Sequence, residues 1–266
     1  MQGLSTYFKE IWRRRYFWLS LVKVDLRSRY RGSAFGIGWS LLHPIAMTTI
    51  LCVVFSTMMK TEITDFAPYL MAGLTFWQFV TCSSLLGCEC FFAGEGYIRQ
   101  HPAPMAIYPL RTVLGAAFHF TLGFLLVIVL TLICHGAGFL GVAPLLSLIP
   151  TFALLLIFAW SLAILFGLAN VRFRDLKHIS DVGFQGLFYL TPIMYPEDWL
   201  ENRRYITVLF HLNPFMPFLH LLRAPVCYNA VAAPETFLAA TLITVATASA
   251  ATAAMYWQER KIIFHL

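Results

Sequence analysis

The sequence predicts an all-α polytopic membrane protein, and three observations carry that prediction. Of 266 residues, 59% are hydrophobic and only 12% are charged, where a soluble domain carries about 25% charged residues. Apolar runs long enough to cross a bilayer recur along the whole chain. The Lys and Arg residues gather at the ends of those runs. A water-soluble core has no means of hiding this much apolar surface. The net charge of +6 alone would suit nucleic acid, but the positions of the cations argue against it, because they sit at span ends and form no solvated face.

The first element, residues 1–33, differs from the rest. Leu4, Phe8, Ile11, Leu19, Val22 and Leu26 recur at roughly helical spacing, with Lys9, Arg13, Arg14, Lys23 and Arg27 between them. Trp12, Tyr16 and Trp18 suit a headgroup region. The pattern predicts an amphipathic helix lying in the cytoplasmic interface. It is too charged to be a cleavable leader. A basic junction follows, Arg27-Ser28-Arg29-Tyr30-Arg31-Gly32-Ser33, and then Ala34 to Met59 without a single Asp, Glu, Lys or Arg. Here the chain enters the membrane.

The apolar runs predict six spans, at about 34–59, 67–92, 112–134, 143–169, 179–195 and 235–257. Together they make a transmembrane domain over 34–257, followed by a tail at 258–266. The fifth span is short, holds Gly183 and Gly186, and ends at Thr191-Pro192-Ile193-Met194-Tyr195-Pro196, where two prolines break a helix. Segment 197–234 is apolar in part. Asn213-Pro214 and Pro217 interrupt it, and one more crossing would move Glu259-Arg260-Lys261 outside. It reads as an external segment with short re-entrant helices, which requires protein or a cavity around its backbone. With six spans and a cytoplasmic N-terminus, fifteen Lys/Arg fall inside and four outside, so both termini are expected in the cytoplasm. The loop 94–111 carries Gly94, Gly96, Pro102, Pro104 and Pro109, which cut it into a short helix between turns.

Chemistry of its own is not expected of this chain. It has no Gly-Lys dipeptide and therefore no phosphate-cradling Walker A loop. There is no Gly-x-Ser-x-Gly elbow and no His-Glu-x-x-His. The six cysteines read as small buried hydrophobes, since Cys88-Glu89-Cys90 lacks zinc-ligand spacing. Glu89 is the carboxylate nearest a span interior, and His119 is the one midplane titratable candidate, with a hydrogen-bonded structural role its plainer reading. An ion-coupled carrier keeps ionisable groups at the midplane. Energy for any uphill transport is expected from another chain.

Arg29-Tyr30-Arg31-Gly32-Ser33-Ala34-Phe35-Gly36-Ile37-Gly38-Trp39-Ser40-Leu41-Leu42-His43-Pro44 resembles the start of the first span in ATP-binding-cassette exporter permeases for polysaccharides, the class that carries O-antigen, capsular polysaccharide and teichoic acid. Phe35 departs from the family's usual Leu. The likeness continues through Tyr69 to Trp77, through Ile98-Arg99 with Pro104 to Arg111, through Arg172-Phe173-Arg174-Asp175-Leu176, through Thr191 to Pro196, and through Leu212-Asn213-Pro214-Phe215. It thus runs in order along essentially the whole chain. The resemblance implies a homodimer of six-span subunits in the bacterial inner membrane, paired with two cytoplasmic ATPase subunits that bind ATP and Mg. No cofactor is implied in this chain, which acts as a non-catalytic subunit among membrane lipids. The implied cargo is a lipid-linked polysaccharide. The Arg-Tyr-Arg-Gly-Ser wording sits nearer the O-antigen members, and so lipopolysaccharide biosynthesis, than the capsule members. A drug or lipid exporter, or an integral membrane acyltransferase, is the rival reading.

On that resemblance, Trp39, Phe76, Trp77, Tyr189 and Tyr195 are expected to line the sugar channel, since an aromatic ring with a polar handle suits a mobile sugar chain. The same residue types also build interfacial belts. Glu95, Tyr97, Ile98 and Arg99 are expected to couple to the ATPase. Arg27, Arg29, Arg31, Arg172 and Arg174 are candidates to meet a lipid diphosphate or headgroups, with positive-inside anchoring as the alternative. Pro192, Pro196, Asn213 and Pro214 bracket an expected external gate.

Overall fold

The computed structural model describes residues 4–33, 35–59, 61–100, 103–136, 138–196, 210 and 212–262. Its helices are α1 (Leu4–Arg13), α2 (Arg15–Tyr30), α3 (Trp39–Met59), α4 (Ile63–Ala93), α5 (Glu95–Gln100), α6 (Ile107–His135), α7 (Val142–Arg172), α8 (Leu176–Leu190), α9 (Met216–Cys227) and α10 (Pro234–Ile262), with a 3₁₀ turn at Gly36–Gly38. No strand occurs among the described residues.

Five helices, α3, α4, α6, α7 and α10, are long and apolar enough to cross a bilayer. The element expected at 179–195 is shorter. α8 has 15 residues and so spans ~22 Å, less than the ~30 Å hydrocarbon core. Its end is local: Thr191 is already extended (φ −99°, ψ 130°), as the residue before Pro192 prefers. The N-terminal segment also differs from one continuous helix. It breaks at Arg14 (φ −90°, ψ 20°), and the Trp18 indole N–H bridges the break by donating to the Ile11 carbonyl at 3.1 Å.

α4 is the centre of the bundle and touches α3, α6, α7, α8 and α9. Its contact with α7 is made by small residues. A Cβ on Gly87 would lie 2.7 Å from the Cα of Ala163, and one on Gly167 would lie 2.8 Å from the Gly87 carbonyl oxygen. One turn along α7, the Asn170 amide donates to the Cys88 carbonyl at 2.8 Å. Lipid supplies no hydrophobic drive between helices, so close approach and interhelical hydrogen bonds must hold them. Aromatic side chains fill the space around this axis, among them Phe76, Phe79, Phe120, Phe124, Phe158 and Phe218.

α9 is short but largely enclosed. Phe218 stacks on Phe158 at 4.6 Å, and Phe215 meets Trp77 edge-on at 5.4 Å. Trp77 and Phe158 sit midway along helices of 31 residues each. At its far end, Asn229 Oδ1 accepts the Gly141 N–H at 2.6 Å, beside the start of α7. α9 therefore runs from the middle of the bundle to one end. Residues 197–209 of the expected external segment lie outside the described residues, as do the expected outside cations Lys60, Arg203 and Arg204 and the tail from 263.

Candidate functional site

Helical spacing brings three stripes to one cleft. α4 contributes Leu74, Trp77, Gln78 and Thr81, α8 contributes Asp181, Phe184, Gln185, Phe188 and Tyr189, and α3 contributes His43, Pro44 and Met47. Each stripe steps by three or four residues, which keeps it on one helix face. The cleft measures about 320 Å³, at the small end of ligand sites. Phe184, Phe188 and Phe215 surround Trp77 at 5.4–6.0 Å. α4 and α8 run in opposite directions, so Thr81 pairs in height with Asp181 and Trp77 with Phe184 and Phe188. The polar groups consequently collect at the end nearer α5, and the aromatic and aliphatic groups at the other.

Beneath that polar end the same face of α4 continues to Cys82 and Glu89. Arg29 of α2 lies close enough to Cys82 to act on it electrostatically. Lys177 Nζ donates to Glu89 at 2.6 Å, and the Arg174 guanidinium lies over the Phe92 ring at 5.4 Å. The turn before α8 and the end of α2 thus bring their cations to one side of α4. Asp25 takes a bidentate pair of donors from Arg111. Five residues on, the Tyr30 hydroxyl bonds Ser40 and His119. His119 accordingly belongs to a hydrogen-bonded junction between α2, α3 and α6.

Beyond the far end of the cleft lies the turn after α8. Arg223, only 3% exposed, donates to the Pro192 carbonyl at 2.8 Å and to the Ile193 carbonyl at 2.9 Å. Its guanidinium sits 3.5 Å from the centre of the Tyr69 ring, and the Tyr69 hydroxyl donates to the Tyr195 carbonyl at 3.1 Å. Gly73 makes this possible, since a Cβ there would stand 2.7 Å from Arg223 Nη2 and 3.1 Å from Ile193. Asn213 ties in the next segment, donating to Thr191 Oγ1 at 2.8 Å while accepting the Phe215 N–H at 3.0 Å. Charged donors on buried carbonyls are the strong kind of hydrogen bond.

At the opposite end, one carboxylate gathers three parts of the chain. Glu259 of α10 accepts the Tyr7 hydroxyl at 2.8 Å and the Met105 N–H at 3.1 Å. Tyr7 in turn accepts the Ala106 N–H at 3.3 Å, and the Trp160 indole donates to the Ala106 carbonyl at 3.1 Å. Burial, and then the neighbouring Glu259 carboxylate, push the Tyr7 phenol up from its ordinary pKa, so it stays neutral and keeps its donor. Glu259→Ala is expected to remove about 1–2 kcal/mol of local stability. Faster amide hydrogen exchange at Met105 and Ala106 measures it, with Glu259→Gln retaining most of the protection.

The expected site residues divide accordingly. Trp77 and Tyr189 line the cleft. Trp39 lies one turn below His43 on the same α3 stripe, half exposed and edge-on to Phe35 at 5.5 Å. Tyr195 turns back, its hydroxyl donating to the Tyr189 carbonyl at 2.8 Å. Phe76 is fully buried in the core rather than at the cleft, because one step from Trp77 rotates it 100° around α4. Ile98 is likewise buried, among Ile11, Ile107 and Met255, anchoring α5 inward. Tyr97 and Arg99 remain exposed, with Arg99 paired to Glu95 at 2.7 Å and Tyr97 edge-on to Phe17 at 6.2 Å. Arg27, Arg29, Arg31 and Arg172 are exposed. Pro192 and Asn213 are buried in the turn assembly, whereas Pro214 is exposed and Pro196 is half-buried. Arg223, Tyr69, Gly73 and Glu259 were not singled out from sequence; an Arg within an apolar, proline-rich run was the available signal.

Comparison with known proteins covers most of the chain. Residues 16–226 match the family described as ABC-2 type transporter. An O-antigen export system permease protein RfbA of Klebsiella pneumoniae is 31% identical over 183 residues, covering 67% of this chain and 68% of the relative. The protein of the same name in Myxococcus xanthus is 27% identical over 214 residues, 79% of this chain and 80% of the relative. The polysialic acid transport protein KpsM of Escherichia coli is 24% identical over 206 residues, 76% of this chain and 78% of the relative.

Proposed function

This chain belongs to the ABC-2 type transporter family, and from that premise we propose that it is the permease of an ATP-binding-cassette exporter that moves a lipid-linked polysaccharide, of the O-antigen class, out across the bacterial inner membrane. The relatives named for O-antigen export and polysialic acid transport support the polysaccharide cargo. The observation that carries the reading is the cleft between α3, α4 and α8, where an indole, a phenol and five other polar side chains meet. A drug or lipid carrier has no use for so many hydroxyl-bonding groups beside its aromatics.

Two copies of the chain and two ATPase subunits form the exporter, with both termini cytoplasmic and ATP and Mg held by the ATPases. Residues 1–33 rest at the cytoplasmic surface, 34–257 form the membrane domain, and 258–266 are the tail. α8 with the turn after it makes the sixth crossing. The segment through α9 dips inward and returns, which the enclosure of α9 by α4 and α7 supports. α3 and α8 have few neighbours within one chain, and a second copy covers them to complete a central channel. α5 presents Glu95, Tyr97 and Arg99 to the ATPase, while Arg29, Arg31, Arg172 and Arg174 meet the diphosphate of the arriving lipid. The turn held by Arg223 is the external gate.

The test is genetic and biochemical. Deleting the gene is expected to leave polysaccharide inside the cell and strip it from the surface, and the tagged chain is expected to co-purify with a Walker-motif ATPase. Intact surface polysaccharide, together with no ATPase in the purified complex, would sink the proposal.

A further inference from the structure

Resting on the exporter reading above, we propose that the cleft between α3, α4 and α8 is a subsite for single sugar rings that accepts uncharged, hydroxyl-bearing units and turns acidic ones away. The argument starts from what lines it. Gln78 and Gln185 each offer an amide that both donates and accepts, as a sugar hydroxyl requires. Thr81 lines the same space, its hydroxyl buried and without a partner among the described residues. Trp77 and Tyr189 add the flat faces that sugar C–H groups cover.

Charge supplies the selectivity. Asp181 is the only Asp or Glu lining the cleft, and no Lys or Arg lines it among the described residues. Two cations on the turn before α8 contact α4 outside the cleft, Lys177 at Glu89 and Arg174 over Phe92. A neutral hydroxyl donates to the Asp181 carboxylate. A uronic or sialic carboxylate meets it as a like charge with no Lys or Arg in the lining to offset it, His43 being the one basic side chain there, and such juxtapositions are how interfaces reject wrong partners. A volume of about 320 Å³ admits a short stretch of one chain, which suits weak, repeated holding of a moving polymer.

The experiment uses the chain in complex with its ATPase in lipid nanodiscs, with maltohexaose and hexagalacturonate as length-matched neutral and acidic probes, read by saturation-transfer NMR. Maltohexaose is expected to bind on the order of tenfold more tightly than hexagalacturonate. Asp181→Asn is expected to narrow that gap to about twofold, and Gln78→Ala with Gln185→Ala to weaken maltohexaose about tenfold. Asp181 is exposed, so its variant carries the test if the double variant does not assemble. No binding of maltohexaose, equal binding of both probes, or a gap untouched by Asp181→Asn overturns the subsite. Those outcomes leave the exporter reading standing. Surface polysaccharide that survives gene deletion removes the exporter reading itself.

Discussion

Replacing Arg223 with alanine is expected to lower the stability of the purified protein by about 3 kcal/mol or more and to open the end of the membrane domain at the turn after α8. The guanidinium gives charged hydrogen bonds to two consecutive buried carbonyls and stacks on Tyr69. Hydrogen bonds to a charged group contribute about 1.5–3 kcal/mol each, and the carbonyls left behind keep their desolvation cost. Alanine also leaves a cavity against Gly73. Arg223→Lys is expected to recover only part of the loss, because a point charge cannot span both carbonyls as a planar fork does. Tyr69→Phe keeps the ring and loses only the hydroxyl bond, so its cost is about 1 kcal/mol. Thermal unfolding in detergent measures the ranking. Entry of a normally excluded dye into cells making each variant measures the opening. A melting point and permeability unchanged by Arg223→Ala would show that the turn needs no clamp.

Valine at Gly87 is expected to do more damage still. Its Cβ would stand 2.7 Å from the Cα and 2.9 Å from the Cβ of Ala163, and backbone atoms of a packed helix cannot step aside. α4 and α7 must separate, which also stretches the Asn170 bond to the Cys88 carbonyl. Overpacking costs about 1–3 kcal/mol where side chains can adjust, and more where they cannot, so loss of folded protein on expression is the expected result. Gly183→Ala is the matched control. Nothing lies within 4 Å of its added Cβ, and removing a helix glycine stabilises by about 0.5–1 kcal/mol. Size-exclusion profiles of the two variants decide the matter. A well-behaved Gly87→Val protein would mean that the two helices do not touch there.

The helices were legible because each is an apolar run bounded by charge or proline. α6 and α7 extend the expected 112–134 and 143–169 by only a few residues at each end. Rotation about each helix axis was not legible. A span that is apolar all round carries no periodic signal to say which face meets protein and which meets lipid. That is why the sequence could not separate Trp77, which meets the cleft, from its neighbour Phe76, which meets the core. Ile98 failed for a related reason: a lone apolar residue in a charged loop can point to a partner chain or inward, and here Ile11 and Met255 claim it. Arg223 read from sequence as one more outside cation, because its partners are backbone carbonyls 30 and 31 residues away and a ring on α4. Gln78, Thr81, Asp181 and Gln185 are scattered over two helices, and only their antiparallel packing gathers them.

The carboxylate of Glu259 has a consequence for how the protein comes into being. Synthesis proceeds from the N-terminus, so α1 and the loop at Met105 and Ala106 exist long before α10 does. Until α10 has been threaded into the bilayer, the Met105 N–H has no carboxylate to receive it and the Tyr7 hydroxyl has lost its acceptor. The surface around α5 is therefore finished only when translation has passed residue 259. A nascent or truncated copy has yet to assemble that surface, and the clasp serves as a built-in inspection stamp on each completed subunit.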